Sequence, residues 1–175
     1  MADPHPALAA LLEVTARRLE ERGARDEALG GFERTRGILG IGRRIVLASH
    51  GRVWRLGVLL LGRDRRLYAA GSVTRAVEPR HPNYQSLSGE ERREIRRIAL
   101  ESGFAHGEVI NFEVEELALD EESLRRGSGP LRLDGERLLV RWAPNQGFVP
   151  LAPYLEERGR LLSQHDGWDD DRIYD

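Results

Sequence analysis

The segment from Arg52 to Leu61 most constrains what this chain can fold into, because apolar side chains occupy both of its faces. Alternate side chains of an extended strand point to opposite sides. One face holds Trp54, Leu56, Val58 and Leu60, and the other face also becomes apolar toward Leu61. Such a strand has to be covered on both sides, so the sequence predicts a central strand inside a sheet that other layers flank.

Turn residues on each side of this segment predict a meander. His50-Gly51 precedes it and Gly62-Arg63-Asp64-Arg65 follows it, and glycine supplies the positive φ that tight turns need. Side chains alternate in character from Arg43 to the first turn, and the chain returns from the second turn to Val77. We therefore expect a three-stranded antiparallel meander.

The remaining elements place the chain in the α+β class. Apolar residues at helical spacing predict helices over 6–22 and 88–102 and a helix that starts at Pro153. A strand is expected over 108–114 and a hairpin around Asp134-Gly135. Residues 25–42 are expected to form a short helical turn and a connector. Together these predict an antiparallel sheet of about six strands, which can curl into a partial barrel, with N-terminal, central and C-terminal helices.

The length of 175 residues suits one domain. We expect a single α+β domain over residues 1–163, followed by an acidic tail over 164–175. The tail carries five Asp residues and little periodicity, a composition typical of disorder.

Composition excludes several chemistries. Cysteine is absent and all 27 basic residues are Arg. Disulfides, thiolate metal sites, cysteine nucleophiles, Schiff-base lysines, the Walker lysine and the Ser-x-x-Lys pair are therefore excluded. The five His residues are isolated from one another, so no metal site and no cofactor are expected. The bias toward Arg over Lys is typical of a GC-rich bacterial genome.

No membrane segment or secretory leader is expected. A membrane helix needs about 20 consecutive apolar residues, and no such stretch occurs. Near the N-terminus, Asp3 precedes the first apolar stretch and Arg17-Arg18 follows it, which is the opposite polarity to a secretory signal. We expect a cytoplasmic protein.

Charge is divided unevenly along the chain. Residues 1–80 carry a net charge of +6 and residues 81–175 carry −8, which agrees with the total of −2. Seven arginines lie in the predicted meander: Arg43, Arg44, Arg52, Arg55, Arg63, Arg65 and Arg66. They could bind phosphates, with Trp54 and Tyr68 as stacking residues, or they could pair with the acidic half of the chain. The pI near 6.2 favours the second interpretation, so tight nucleic-acid binding is not expected, and the same charge division predicts a homodimer.

One loop is the candidate functional segment, because it concentrates polar side chains between a buried strand and a helix. It contains Arg80, His81, Asn83, Tyr84, Gln85 and Ser86. His81 as a base and Ser86 as a nucleophile are the candidate catalytic pair, although the polar groups could equally satisfy their own backbone. Asn145 and Gln146 lie in a second polar stretch, and the two loops would form a shallow pocket if they met.

The sequence also resembles a family of small proteins of high-GC Gram-positive bacteria, the actinobacteria. The resemblance is carried by residues 54–61, 71–75, 140–142 and 150–158, which read WRLGVLLL, GSVTR, VRW and PLAPYLEER. Some members of that family are labelled glutaminase, which implies amide hydrolysis, but these segments are packing patterns that assign no active-site residue. Serine-type glutaminases use a Ser-x-x-Lys pair and amidotransferase types use Cys, and this chain contains neither Lys nor Cys.

Two functions therefore stay open. The first is a non-enzymatic module that binds a protein partner or a second copy of itself. The second is a small hydrolase, of glutaminase type, that works through the 80–86 loop.

Overall fold

A computed structural model describes residues 3–36, 43–78 and 87–164, which form four helices and ten strands. The helices are α1 (Pro6–Glu21), α2 (Leu87–Glu101), α3 (Glu121–Arg126) and α4 (Leu151–Gln164). The strands are β1 (Glu27–Arg36), β2 (Arg43–Leu56), β3 (Leu59–Gly62), β4 (Leu67–Ala69), β5 (Ser72–Arg75), β6 (Val109–Phe112), β7 (Glu115–Glu116), β8 (Leu131–Asp134), β9 (Arg137–Val140) and β10 (Val149–Pro150).

The strands form two sheets. The larger has seven strands in the order β5-β6-β1-β2-β3-β4-β7, and the smaller has the order β10-β9-β8. The registered pairs are antiparallel except for β1 with β6, which run parallel. The predicted fold class, α+β with an antiparallel sheet that can curl into a partial barrel, is confirmed.

The described residues group into two compact units, each with its own hydrophobic core. The first unit is drawn from residues 1–26, 54–70 and 115–175, and the second from 27–53 and 71–114. Most of the buried side chains of the first core lie on α1, β2, β3, β8 and α4. Its largest fully buried side chains are Leu8, Leu12, Leu19, Trp54, Leu56, Leu59, Leu61, Leu67 and Leu124. The second core packs Ile95, Ile98 and Ala99 of α2 on side chains of the sheet, namely Ala28, Leu47, Ile110 and Phe112.

The central strand is confirmed at β3, where Leu59, Leu60 and Leu61 are all fully buried. The expected continuous strand from Arg52 to Leu61 is wrong, however, because the chain turns at Gly57, whose φ is +68°. The Tyr154 hydroxyl fixes this turn. It donates to the Leu56 carbonyl oxygen at 3.0 Å and accepts from the Val58 amide at 3.0 Å.

The helical turn expected near Asp26–Leu29 is also wrong, because this segment begins strand β1. Pairing on both edges outweighs the poor strand propensity of its Gly30-Gly31 pair. Strand β1 is antiparallel to β2 along its length and parallel to β6 at Ala28 and Leu29. A Cβ at Gly30 would lie 2.8 Å from Ile110 Cγ2, so glycine is what allows the close approach of these strands.

The tight turn expected at His50-Gly51 is a bulge inside the continuous strand β2. The register with β1 shifts between Leu29, which faces Gly51, and Gly30, which faces Ser49. The extra residue is accommodated where Gly51 takes a φ of +123°. The single return strand expected up to Val77 is likewise divided. Strand β4 ends at Ala69 and pairs with β3, whereas β5 pairs with β6.

The expected helices are present. Helix α2 ends in a Schellman motif, since Gly103 has a φ of +90° and the Phe104 amide donates to the Ala99 carbonyl. Helix α4 starts two residues before Pro153, at Leu151, and runs to Gln164, the first residue of the expected tail. Every helix in the described ranges is too short or too polar to cross a lipid bilayer.

Candidate binding groove

The structure places only part of the predicted site. The 80–86 loop, with Arg80, His81, Asn83, Tyr84, Gln85 and Ser86, lies outside the described residues. Asn145 and Gln146 lie in the turn between β9 and β10, and both are exposed. The backbone amide of Gln146 donates to the Ala143 carbonyl oxygen at 3.1 Å, and this hydrogen bond closes the turn. The turn leads directly into the edge of an apolar groove on the first unit.

The smaller sheet has one buried face and one outward face. Leu131, Leu133 and Val140 point into the first core. The register pairs Leu139 with both Arg132 and Pro150, and directly opposed residues share a face. The outward face therefore combines arginine with apolar side chains.

This outward face borders a groove that α1 and α4 complete. Its lining is Ala7, Leu11, Arg137, Leu138, Leu139, Phe148, Pro150 and Ala152. The groove has a volume of about 580 Å³, which is in the range of ligand-binding clefts. A smaller cleft between α1 and α4 shares Leu11 and Ala152 with it and adds Arg18 and Glu156. The apolar path thus continues between the two helices.

Two arginines of the outward face lie close to the aromatic ring of Phe148. Its ring is 36% exposed, and two guanidinium carbons lie over it, that of Arg132 at 5.8 Å and that of Arg141 at 5.6 Å from the ring centroid. Stacking on an aromatic ring orients a guanidinium and leaves its N–H groups able to donate outward. Trp142, next to Arg141, is another exposed aromatic side chain, at 42%.

No salt bridge joins either of these two arginines to a carboxylate among the described residues. Arg137, the third arginine of this face, pairs with Asp134 at 2.7 Å. The face therefore presents positive charge that is not neutralised by the described part of the chain. An anionic group that entered the groove would find donors already held in position.

The arginines of the predicted meander are in contrast paired with acids. Arg44 pairs with Glu101, Arg52 with Glu108, Arg63 with Asp26, Arg65 with Glu13 and Glu20, and Arg66 with Asp64 and Glu116. Hydrogen bonding to the Arg65 guanidinium lowers the pKa of the Glu13 carboxyl group. The Arg63 guanidinium also lies 4.8 Å from the centroid of a Trp54 ring that is fully buried and cannot stack on a base. Five of the seven arginines thus already have carboxylate partners.

One further polar group is buried, in the second unit. Asn111 on β6 has no exposed surface. Its side-chain amide donates to the Glu27 carboxylate at 2.7 Å and to the Ala28 carbonyl oxygen at 3.3 Å. Both acceptors lie on β1, the parallel neighbour of β6, so this amide fixes the register of that short parallel pair.

Sequence reasoning located the β9–β10 turn but selected its polar tip instead of the residues beside it. The missed residues are Arg132, Arg141 and Phe148. Their signal is the alternation of the hairpin, in which Arg132 lies between two core leucines and Arg141 follows Val140. The outward positions of a strand show which groups a face presents, whereas the tip of a turn shows only that the chain reverses.

The described residues contain no group of three or more His, Asp or Glu side chains placed to hold a metal ion. Comparisons of the chain with protein-family models, with curated proteins and with solved structures find no match.

Proposed function

We propose that this protein is a non-enzymatic interaction module whose groove binds a protein segment that carries both carboxylates and aromatic or aliphatic side chains. The observation that carries the proposal is the Arg132–Phe148–Arg141 stack at the edge of the apolar groove. The apolar lining favours burial of side chains of the partner. The two guanidinium groups favour a partner with negative charge close to its apolar anchor.

A protein segment fits this groove better than a small polar metabolite. Sites for small ligands hold their ligand through a few convergent buried polar groups. Among the described residues that line the groove, the only polar side chain is that of Arg137, and it is exposed. An apolar groove with charged residues around it is the usual arrangement for a peptide anchored by one or two side chains.

The test is binding of a probe peptide to the full chain, measured by fluorescence anisotropy. The probe is a short fluorescein-labelled peptide that alternates Asp with Phe and Leu. We expect a Kd on the order of 10–100 μM, and at least a tenfold weaker Kd for Arg132→Glu/Arg141→Glu. The charge-matched control is Arg25→Glu/Arg34→Glu, which changes two exposed arginines elsewhere and should bind as the wild type does.

Two further controls separate the contributions of charge and apolar contact. Replacing Asp by Asn in the probe should weaken binding because the arginines lose their anionic partner, and replacing Phe by Ala should weaken it because the groove loses its anchor. Equal binding by the wild type and by Arg132→Glu/Arg141→Glu would contradict the proposal.

The predicted homodimer, the cytoplasmic location and the weakness of nucleic-acid binding are also proposals. The opposite charges of the two halves of the chain support the dimer. The pairing of the meander arginines with acids supports weak binding to nucleic acid. Analytical ultracentrifugation at micromolar concentration tests the dimer, and a single species of about 20 kDa would contradict it.

A further inference from the structure

We propose that the C-terminal segment 165–175 of the same chain occupies the groove and competes with the partner. This inference rests on the proposed function, because it concerns the regulation of that groove. The segment follows α4, whose other end contributes Ala152 to the groove lining. Three observations carry the inference, namely the charge of the segment, its apolar side chains and its reach.

The composition of the segment matches the chemistry that the groove favours. It holds five Asp against one Arg, and it carries Trp168, Ile173 and Tyr174. The groove face has three arginines, of which Arg132 and Arg141 form no salt bridge in the described ranges. Opposite charges favour association of the segment with the groove. Because both belong to one chain, the entropy that association loses is that of closing the loop between them.

The reach of the segment selects which of its side chains can be the anchor. From Gln164 back to Ala152 is a distance of about 18 Å, because a helix rises 1.5 Å per residue. Extended chain spans at most about 3.5 Å per residue. The backbone of Trp168 can therefore lie at most about 14 Å from the end of α4, which is short of Ala152. The backbone of Tyr174 can lie up to about 35 Å from the end of α4. The anchor is thus Tyr174 with Ile173, and the preceding acidic residues that can extend past Ala152 are Asp170 and Asp171.

The affinity of the full chain for a partner should report this competition. A segment tethered by a few residues has an effective concentration on the order of millimolar. If its intrinsic affinity for the groove is also about millimolar, it weakens probe binding roughly twofold. Tyr174→Ala should therefore bind the probe about twofold more tightly than the wild type. Trp168→Ala is the matched control, because it removes an aromatic side chain from the same segment, and it should bind as the wild type does.

Paramagnetic relaxation enhancement on the full chain tests directly whether segment 165–175 lies in the groove. The chain has no cysteine, so Asp175→Cys provides a single thiol for a nitroxide label. We expect the label to reduce the NMR signals of Leu139 and Ala152 by at least twofold relative to the reduced sample. The effect should disappear in Arg132→Glu/Arg141→Glu and in Tyr174→Ala, and it should persist in Trp168→Ala.

The outcomes separate this inference from the proposed function. If the relaxation effect is absent, and if the wild type and Tyr174→Ala bind the probe with the same Kd in the expected range, the inference is overturned while the proposed function stands. Loss of probe binding in every variant, Tyr174→Ala included, would overturn the proposed function instead. Mixing isotope-labelled protein with unlabelled, nitroxide-bearing protein tests the alternative occupant. A relaxation effect on the isotope-labelled chains of this mixed sample would assign the groove to the segment of a second copy and overturn the intramolecular arrangement.

Discussion

Replacement of Leu59 by Ala tests the assignment of β3 as the central strand of the first core. Leu59 has no exposed surface and packs in that core. The substitution removes about three carbon atoms, each worth about 0.8 kcal/mol when buried, and leaves a cavity that tight packing on both faces prevents from closing. The expected loss of unfolding free energy is therefore about 2–5 kcal/mol.

Urea denaturation followed by circular dichroism measures this loss. The midpoint should fall while the slope m stays unchanged, because the surface exposed on unfolding hardly differs. The thermal midpoint should fall by roughly 4–20 °C. Ile45→Ala is the control, since this β2 side chain is 50% exposed and its loss should cost less than about 1 kcal/mol. A loss below about 1 kcal/mol for Leu59→Ala would refute burial on both faces.

Three more substitutions or assays test the structure and the composition. Asp120 caps α3 by accepting from the Ser123 backbone amide at 2.9 Å, and this hydrogen bond lowers the pKa of the Asp120 carboxyl group. Asp120→Asn should therefore have a smaller free energy of unfolding than the wild type at neutral pH, and denaturation series should show this difference vanish as the pH falls from about 4 through the lowered pKa. The purified protein should release no ammonia from glutamine in a coupled assay; release that His81→Ala and Ser86→Ala each abolish, in folded protein, would establish the hydrolase. Duplex DNA at physiological salt should bind no tighter than micromolar in a filter assay, because most meander arginines are already paired.

Hydrophobic periodicity and turn residues predicted the elements that a local sequence signal specifies. The α1 stripe, the apolar run at Leu59–Leu61 and the hairpin at Asp134-Gly135 each carry a local signal, and the structure contains all three elements. The Schellman ending at Gly103 is equally local, because one glycine and the following apolar residue specify it.

Prediction failed where a distant partner decides the structure. Residues 27–36 contain a Gly-Gly pair and little periodicity, and they are extended because β2 and β6 pair with them. The bulge opposite Leu29 likewise depends on the register between two strands, which no local sequence signal at Gly51 distinguishes from a turn. Long-range pairing of this kind outweighs local propensity.

The groove was hidden from sequence reasoning for a related reason. Its lining comes from α1, α4 and the smaller sheet, which are distant in sequence. Sequence reasoning could place Asn145 and Gln146 in the correct loop. It could not show that Arg132 and Arg141 converge on Phe148, because that requires the pairing of β8 with β9 and the path of the chain into β10.

The most direct test of the groove as an interaction site is a charge-reversal cycle between Arg141 and the probe peptide. Anisotropy titrations are made for the wild type and Arg141→Glu, each with the Asp probe and with a probe in which Lys replaces Asp. We expect that Arg141→Glu weakens binding of the Asp probe at least threefold and strengthens binding of the Lys probe, with a coupling energy of about 1 kcal/mol or more. Equal affinities in all four titrations would contradict this expectation.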